Sequence, residues 1–299
     1  MQRIVITGAT GLIGSHLSPL LELEGYDLVH LTRDRKKGER AKSFVWDPAG
    51  SYADSDAFHP GDIIIHMAGA NIGSGRWTDK RKDEIIASRV NSAALLFAKT
   101  AGAGIIPSAF ITASATGYYG AVTRQEIFTE SDPPAADFLG ETCRRWEEAA
   151  QPFVEKGVRV VKIRTSVVLA ASGSALTKMK MPAAAGLIVR PGPGNQYFPW
   201  IHIDDLCAVY LTAVRDGGMS GAYNATAPDH VTLDGVMKEI ARQKHLPVFL
   251  PHIPVWLMRA VLGEMSVMLT TGSRVSSDRL TNSGFTFRYP DIASALRAC

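Results

Sequence analysis

Cysteine is scarce in this 299-residue chain. There are three, Cys143, Cys207 and Cys299, far apart and with no Cys-x-x-Cys pair among them. That spacing excludes a disulfide framework and gives no structural metal site. It points instead to free thiols in a reducing compartment. A charge bias is also lacking. The formal net charge is +3, and the basic run from Arg33 to Arg40 is short and mixed with acids. No dense Lys/Arg block falls on a helix face, so nucleic acid is not an expected partner. No apolar run is long enough to span a bilayer, so no membrane is expected as a partner either. The first strand starts at residue 3, which leaves no length for a leader, and the cytoplasm is the expected location. Internal repeats and disordered linkers are absent as well.

What is present reads as an ordinary soluble domain. Hydrophobic residues make up 46% of the chain and charged residues 20%. The length suits one large domain, or one large and one small. The strongest local signal is at the start. Ile4-Val5-Ile6 is a short apolar run ending in Thr7, and Gly8, Gly11 and Gly14 follow at three-residue spacing. An apolar pattern of helical period then runs through Leu12, Ile13, Leu17, Leu20 and Leu21. A strand, a tight turn and a helix are predicted. Gly8 would leave the strand with positive φ, Gly11 would let a pyrophosphate approach the backbone, and Gly14 would let the helix pack near the strand. The free N–H groups and partial positive charge of a helix N-terminus suit an anion.

Asp27–Thr32 reads as the second strand, with Thr32 and Arg33 standing where an NAD site would carry an acid. Arg33, Arg35 and Lys36 could pair with a 2′-phosphate, which favours NADP(H) over NAD. The other use for them is a solvated basic loop, and Asp34, one position late, could still reach a ribose. Phe44–Asp47 is a short third strand whose end, Trp46 and Asp47, lies where this fold meets the adenine. Asp62–Met67 is a continuous apolar strand ending in the small residues Ala68-Gly69-Ala70. His66 on that strand reads as packing, without chemistry. Arg76 and Trp77, in the Gly-rich loop that follows, either touch substrate or tie the loop down. A long helix begins at Asp79 and carries Arg89 and Asn91.

The Gly8–Gly14 stretch, the His66-Met67-Ala68-Gly69 turn and the Ser114-Ala115-Thr116-Gly117-Tyr118-Tyr119-Gly120 turn resemble the extended, epimerase-like branch of the short-chain dehydrogenase/reductases. The resemblance implies a Rossmann-type α/β fold, a doubly wound parallel sheet of six or seven strands with a smaller C-terminal α/β substrate lobe. The dinucleotide-binding domain would take residues 1–170 and roughly 199–225, and the lobe 171–198 and 226–299. Cofactor contacts would come from Gly8, Thr10, Gly11, Leu12, Ile13 and Gly14, from Arg33 and Arg35, and from Trp46 and Asp47. Met67, Ala68, Gly69, Arg89, Thr165, Val167 and Val168 would complete the set. Ser114 falls where the family's catalytic Ser or Thr sits.

One part of the family pattern is missing. The family's acid/base is a Tyr with a Lys four residues on. Aligned on the helix that begins near Asp137, those positions hold Leu139 and Cys143, and no Tyr in the chain has Lys four residues later. Leucine transfers no proton, and Cys143 reads as a small buried residue. Tyr118 and Tyr119 are the remaining proton donors near Ser114, with Lys178 a distant third. An unassisted Tyr, with pKa about 10, is a poor acid/base at neutral pH. The motifs CRRWE at 143–147, IRTSVVL at 163–169 and FPWIHIDDL at 198–206 narrow the resemblance to the atypical "epimerase family" proteins, and it covers essentially the whole chain.

In the second half, Arg159–Arg164 is a strand, and Gly221–Ala225 another that enters the small lobe. Arg190, Asn195, Gln196 and Tyr197 could bind a polar substrate. The first Asp of Asp204-Asp205 is expected to cap a helix, as is Thr232. Leu246–Leu250 reads as a strand. Val255–Leu262 is a hydrophobic helix that either packs on the lobe or offers a face to a second copy. The expected function is that of an NADP(H)-binding oxidoreductase or epimerase-like enzyme acting on an unknown small polar molecule. The rival is a non-catalytic NADP-binding redox sensor or scaffold.

Overall fold

The central strands of the main sheet send alternate side chains to two different cores, so their apolar runs are buried on both faces. In the computed structural model, residues 1–33, 42–174, 176–177, 179–180, 188–247 and 252–299 are described. The chain opens with β1 (Arg3–Thr7), α1 (Leu12–Leu23), β2 (Asp27–Thr32), β3 (Lys42–Asp47), β4 (Tyr52–Ala53) and β5 (Ile63–His66). It continues through α2 (Asp79–Gly102), β6 (Ala109–Ala115), β7 (Ile127–Phe128), α3 (Phe138–Glu148), α4 (Gln151–Glu155), β8 (Arg159–Thr165) and β9 (Val167–Leu169). The last third holds β10 (Arg190–Pro191), β11 (Trp200–His202), α5 (Ile203–Arg215), β12 (Gly221–Ala225), α6 (Leu233–Gln243) and β13 (His252–Ile253). It closes with α7 (Val255–Leu262), α8 (Val267–Thr270), β14 (Arg274–Val275), α9 (Asp278–Asn282) and α10 (Ile292–Ala298).

The main sheet has eight strands in the order β12-β8-β6-β5-β1-β2-β3-β4. All its neighbours are parallel except the short β3–β4 pair. The chain moves outward from β1 to β3, then crosses back to β5 on the other side of β1. That reversal leaves a crevice at the carboxyl ends of β1 and β5, where open sheets of this kind take their ligands. The edge strand β12 pairs with β8 from Gly221↔Val161 to Ala225↔Thr165, so Gly221–Ala225 is part of the main sheet and the chain passes on to the C-terminal elements from there.

One face of the sheet (Ile4, Ile6, Ile65, Ile111, Ile163) packs on Leu17 and Leu21 of α1 and on Leu206, Val209 and Tyr210 of α5. The other face (Val5, Val29, Ile64, Phe110, Val160) packs on Ala93 and Leu96 of α2 and on Phe153, whose ring stacks on Phe110 at 4.1 Å. Burying each large aliphatic side chain contributes roughly 1.5–3 kcal/mol. A third core joins Leu169, Trp200, Val236, Met237 and Ile240 to Ile292 and Leu296, and holds the C-terminal elements together.

Thr232 caps α6 as expected, accepting from the Gly235 N–H at 3.3 Å. The Asp204 expectation is corrected. His202 is the cap of α5, its Nδ1 accepting from the Asp204 N–H at 3.2 Å. Asp205 instead anchors the C-terminal segment by accepting from the Arg288 and Tyr289 N–H groups at 2.8 and 3.0 Å. Most of the expected strand at Leu246–Leu250 lies outside the described residues, and Leu246 and Pro247 carry no strand. On α7 only Met258 is buried, and Trp256 is 70% exposed.

Candidate functional site

The crevice begins where β1 and β5 end side by side, with Thr7 opposite His66. The Thr7 hydroxyl lies 2.8 Å from His66 Nδ1, and its oxygen accepts the N–H groups of Met67 and Ala68 at 3.1 and 3.2 Å. His66 Nε2 lies 2.9 Å from Ser92 Oγ, which donates its own hydrogen to the Arg89 carbonyl. Ser92 has no second hydrogen, so we assign the proton to Nε2 and let Nδ1 accept from Thr7. Burial pushes the His66 pKa down to about 4 and keeps the ring neutral. His66 is therefore a fully buried strut that fixes the two strand ends, as its place in an apolar strand suggested.

Gly8 has φ +75°, and a Cβ there would stand 3.0 Å from the Ala68 nitrogen and the Met67 carbonyl carbon. Both the conformation and the approach of the β5 turn require glycine. At Gly14 a Cβ would stand 2.4 Å from the Gly8 oxygen and 2.5 Å from Ala9 Cα, so α1 packs against the turn itself. Gly11 is the N-cap of α1 and supplies no side-chain cap. The long helices α2, α3, α5 and α6 are capped by Thr78, Asp137, His202 and Thr232. The first N–H groups of α1 are left for something else. Thr10 and Gly11 are exposed, and Leu12 and Ile13 half-buried. Uncapped N–H groups, an exposed glycine and a helix dipole fit the pyrophosphate of a dinucleotide.

At the adenosine end the agreement is partial. Arg33 is exposed after β2. Arg35, Lys36 and Asp34 lie outside the described residues. Trp46 is corrected: its ring is 4% exposed and stands edge-on to His66 at 6.4 Å, a core position that offers no face to a base. Asp47 is exposed and serves its own turn, accepting the Ala49 N–H at 3.1 Å. On the other side of β1, Met67 and Ala68 are half-buried and Gly69 is exposed. Beneath Gly69 lies Arg89, 8% exposed.

The region of the expected proton relay is organised differently. Parallel register sets Ser114, Arg164 and Asn224 in one row across β6, β8 and β12. Arg164 makes a two-pronged ion pair with Glu147 of α3, Nε to Oε1 at 2.8 Å and Nη2 to Oε2 at 3.0 Å. The Ser114 hydroxyl donates to the same Oε1 at 2.8 Å. Arg164 Nη1 donates to the Tyr119 oxygen at 3.0 Å, and Tyr119 donates onward to Asn224 Oδ1 at 2.7 Å. Burial alone would lower the Arg164 pKa, but the Glu147 hydrogen bonds and charge override it and the guanidinium stays protonated. All five side chains are at most 5% exposed.

This corrects two of the catalytic expectations. Ser114 has spent its one hydrogen on Glu147, so it cannot donate to a substrate oxygen in this arrangement. Tyr119 is sealed, and burial pushes its pKa up to about 12 despite Arg164. Tyr118 is half-buried, with the Arg164 guanidinium 3.5 Å over its ring, and burial raises its pKa as well. Neither tyrosine is activated. Leu139 and Cys143 do sit against the turn after β6: a Cβ on Gly117 would lie 3.5 Å from Leu139 and 3.7 Å from the Cys143 sulfur. Burial, then the Glu147 charge, pushes the Cys143 thiol up to about 12, so it is inert. Lys178 lies outside the described residues.

Other candidates are structural ties. Arg76 Nε donates to the Val261 carbonyl at 2.9 Å and its Nη2 to the Ala260 carbonyl. Trp77 donates to the Ile72 carbonyl at 2.9 Å and packs on Phe138. Arg190 pairs with Asp234, Gln196 is buried against the Pro191 and Leu269 carbonyls, and Tyr197 donates to Gln125. Asn195 is exposed. Thr165, at the end of β8, and Val167 and Val168, at the start of β9, lie half-buried. Among the described residues no cluster of His, Cys, Asp or Glu could hold a metal ion, and no helix is long and apolar enough to cross a membrane. Sequence reasoning missed Glu147, Arg164 and Asn224. Arg164 ending a buried strand and Glu147 on the buried face of an amphipathic helix were the available signals.

A doubly wound parallel sheet with a glycine cradle at its switch point defines a Rossmann-type protein. The chain belongs to the NAD dependent epimerase/dehydratase family, which matches residues 4–226, and a domain of unknown function (DUF1731) matches residues 253–299. It is an atypical short-chain dehydrogenase/reductase of the epimerase family. The chain is 35% identical to epimerase family protein YfhF of Bacillus subtilis, over 98% of this chain and 96% of that one. A crystal structure of human epimerase family protein SDR39U1 with NADPH superposes with a TM-score of 0.87 at 27% identity, covering 99% of this chain and 98% of the other. A nucleoside-diphosphate sugar epimerase from Corynebacterium glutamicum, 32% identical, superposes with a TM-score of 0.79 over 99% of this chain and 57% of its own length.

Proposed function

We propose that this protein binds NADP(H) across the carboxyl ends of β1, β2 and β5 and uses it in an oxidoreductase- or epimerase-like reaction on a small polar substrate. The observation that carries the reading is the cradle: Gly8 pressed against the Ala68 turn, and the uncapped start of α1 above it. Thr10, Gly11, Leu12 and Ile13 would hold the pyrophosphate, and Arg33 would face a 2′-phosphate. The likeness to a structure with NADPH supports the choice of NADP(H). The cofactor supplies hydride chemistry when bound. The chain's own part is to hold the two strand ends rigid through Thr7, His66 and Ser92. Titration with NADPH and NADH tests the reading. NADPH is expected to bind at least tenfold more tightly, and equal weak binding of both would overturn it.

One observation favours a second reading, a non-catalytic NADP(H)-binding protein. On the family pattern Leu139 and Cys143 would fill the relay positions, and the nearby hydroxyls are committed to a buried ion pair. A panel of nucleotide sugars and simple carbonyl compounds, followed by reduced-nicotinamide absorbance, separates the two. Turnover of any member supports the enzyme. Tight NADPH binding with no turnover across the panel supports the second reading.

A further inference from the structure

Two C-terminal helices are fastened across the mouth of the crevice. β13, just before α7, pairs with β10, and Arg190 of β10 is tied to Asp234 of α6. From there α7 runs to the loop that leaves β5. Arg76 of that loop donates to the Ala260 and Val261 carbonyls near the end of α7. Just beyond, Glu264 pairs with Lys82 in the first turn of α2. The chain then turns back. The Leu269 carbonyl of α8 accepts from Gln196 at 2.7 Å, and a Cβ on Gly192 would stand 3.2 Å from the Thr270 side chain. So α7 and α8 are held at one end by the carboxyl edge of the main sheet and at the other by the segment after β10. That edge, at the end of β5, is where a sheet of this kind takes its ligand.

The two helices are nevertheless left bare. Met258 is the one buried residue of α7, and α8 has none. Met258 and the half-buried Leu262 share the inner side of α7, four residues apart, while Trp256 and Ala260 share the outer side. Val255, Trp256, Leu257 and Val261 of α7 and Met268 and Leu269 of α8 are between 38% and 70% exposed. Single apolar residues on a surface are ordinary, but six on two consecutive helices form a patch, and such patches mark binding. The polar side chains around them are already spent in fastening the rim. Arg76 is used by carbonyls, Lys82 by Glu264, Arg190 by Asp234 and Gln196 by the Pro191 and Leu269 carbonyls. What these two helices offer a ligand is chiefly apolar surface.

We infer that the substrate is an amphiphile, with a polar reacting end in the crevice and an apolar arm, alkyl or aromatic, laid on the α7–α8 surface. The inference rests on the reading of this protein as an NADP(H)-dependent enzyme, and narrows its polar substrate to one that carries such an arm. α7 has 8 residues, a length of about 12 Å, which suits a medium alkyl chain or a pair of rings. Each methylene that leaves water for this surface raises affinity up to about fourfold. A second copy of the chain or a bilayer would also cover an apolar face, but neither requires that face to be anchored on both sides of a ligand crevice.

The test uses straight-chain aldehydes of four, six and eight carbons, bound to the full chain saturated with NADP+ and followed by calorimetry. Binding of NADP+ alone comes first. Its failure would overturn the NADP(H) reading and the inference with it, whereas a chain that binds NADP+ and shows a flat aldehyde series would overturn the inference alone. Affinity should rise about twofold to fourfold per methylene. In the double variant Trp256→Ser with Val261→Ser the rise should fall below about 1.5-fold per methylene, with NADP+ affinity within about twofold of wild type. Both side chains are exposed, so the variant should fold. A series as steep as in wild type would overturn the inference. So would a wild-type chain that dimerises, or sediments with phosphatidylcholine vesicles, and loses that behaviour in the double variant, because a second copy or a bilayer would then be what covers the face.

Discussion

The two ends of the crevice spend their polar groups in opposite ways. At the β1–α1 end the buried Thr7, His66 and Ser92 satisfy one another and the β5 turn, and the start of α1, with Gly11 as its N-cap, has no side-chain cap and stays open. At the β6–α3–β8 end the side chains turn inward. Ser114, Glu147, Arg164, Tyr119 and Asn224 close on one another, and among the described residues their one unpartnered donor, Asn224 Nδ2, is sealed in the interior. The same sheet edge therefore holds a ready binding half and a committed half. Binding needs N–H groups left over at a rigid surface, and proton transfer needs a group whose proton is not already spent.

The largest expected effect would break the committed half. Glu147→Ala leaves Arg164 buried and unpaired, and should cost about 3–5 kcal/mol in denaturant unfolding. Replacing both partners with apolar residues of similar volume, Glu147→Leu with Arg164→Met, should recover most of that loss. A single-variant cost under about 1 kcal/mol would show that the pair does not hold this end together.

The next effect sharpens the binding half through pH. His66 has a folded pKa of about 4 against an ordinary 6.5, lowered by burial. Its contribution is therefore fully present above about pH 6.5 and is lost as pH falls toward 4, where the unfolded chain takes up a proton that the folded one refuses. The interval corresponds to about 3 kcal/mol. His202 and His230 are also lowered by burial and act on the same acid limb, so the readout is a difference. Unfolding free energy measured from pH 7.5 down to about 4.5 should fall less steeply in His66→Gln than in wild type, by about one proton. Parallel curves would mean that His66 is not held neutral.

Gly14→Val tests the cradle geometry. A Cβ within 2.5 Å of the Gly8–Ala9 backbone forces α1 away from the turn, at about 1–3 kcal/mol of stability, and should abolish NADPH binding while the chain remains folded. Retained affinity would place the cofactor elsewhere. The smallest effect concerns the adenosine end. Arg33→Ala should lower NADPH affinity about tenfold and NADH affinity little, narrowing the ratio between them. An unchanged ratio would remove Arg33 from the 2′-phosphate.

Much of the binding half is readable in the linear sequence because it is local. Strand, turn and helix are contiguous, and the glycine spacing reports backbone constraints that act within eight residues, Thr7 to Gly14. Even so, Gly8 presses on Ala68, a contact 60 residues away that no local pattern shows. Trp46 read as a ligand contact because it ends a strand, and burial turned its ring into the core. In the second half the row Ser114–Arg164–Asn224 is invisible in sequence, because parallel register decides it. Asp204 and His202 show the same limit at short range. Both can cap a helix, and the backbone chose the histidine two residues earlier.

By itself the sequence determined the sheet class, the glycine cradle and the lack of any Tyr with Lys four residues on, since each is a matter of residue identity at short spacing. The tertiary structure alone decided that Ser114 and Tyr119 are spent on Arg164 and Glu147, and that the buried Arg89 under Gly69 has no acid paired with it among the described residues. Whether a polar group is free depends on what crossing strands and helices bring within 3 Å of it. That distance is set by packing across the sheet and is not written along the chain.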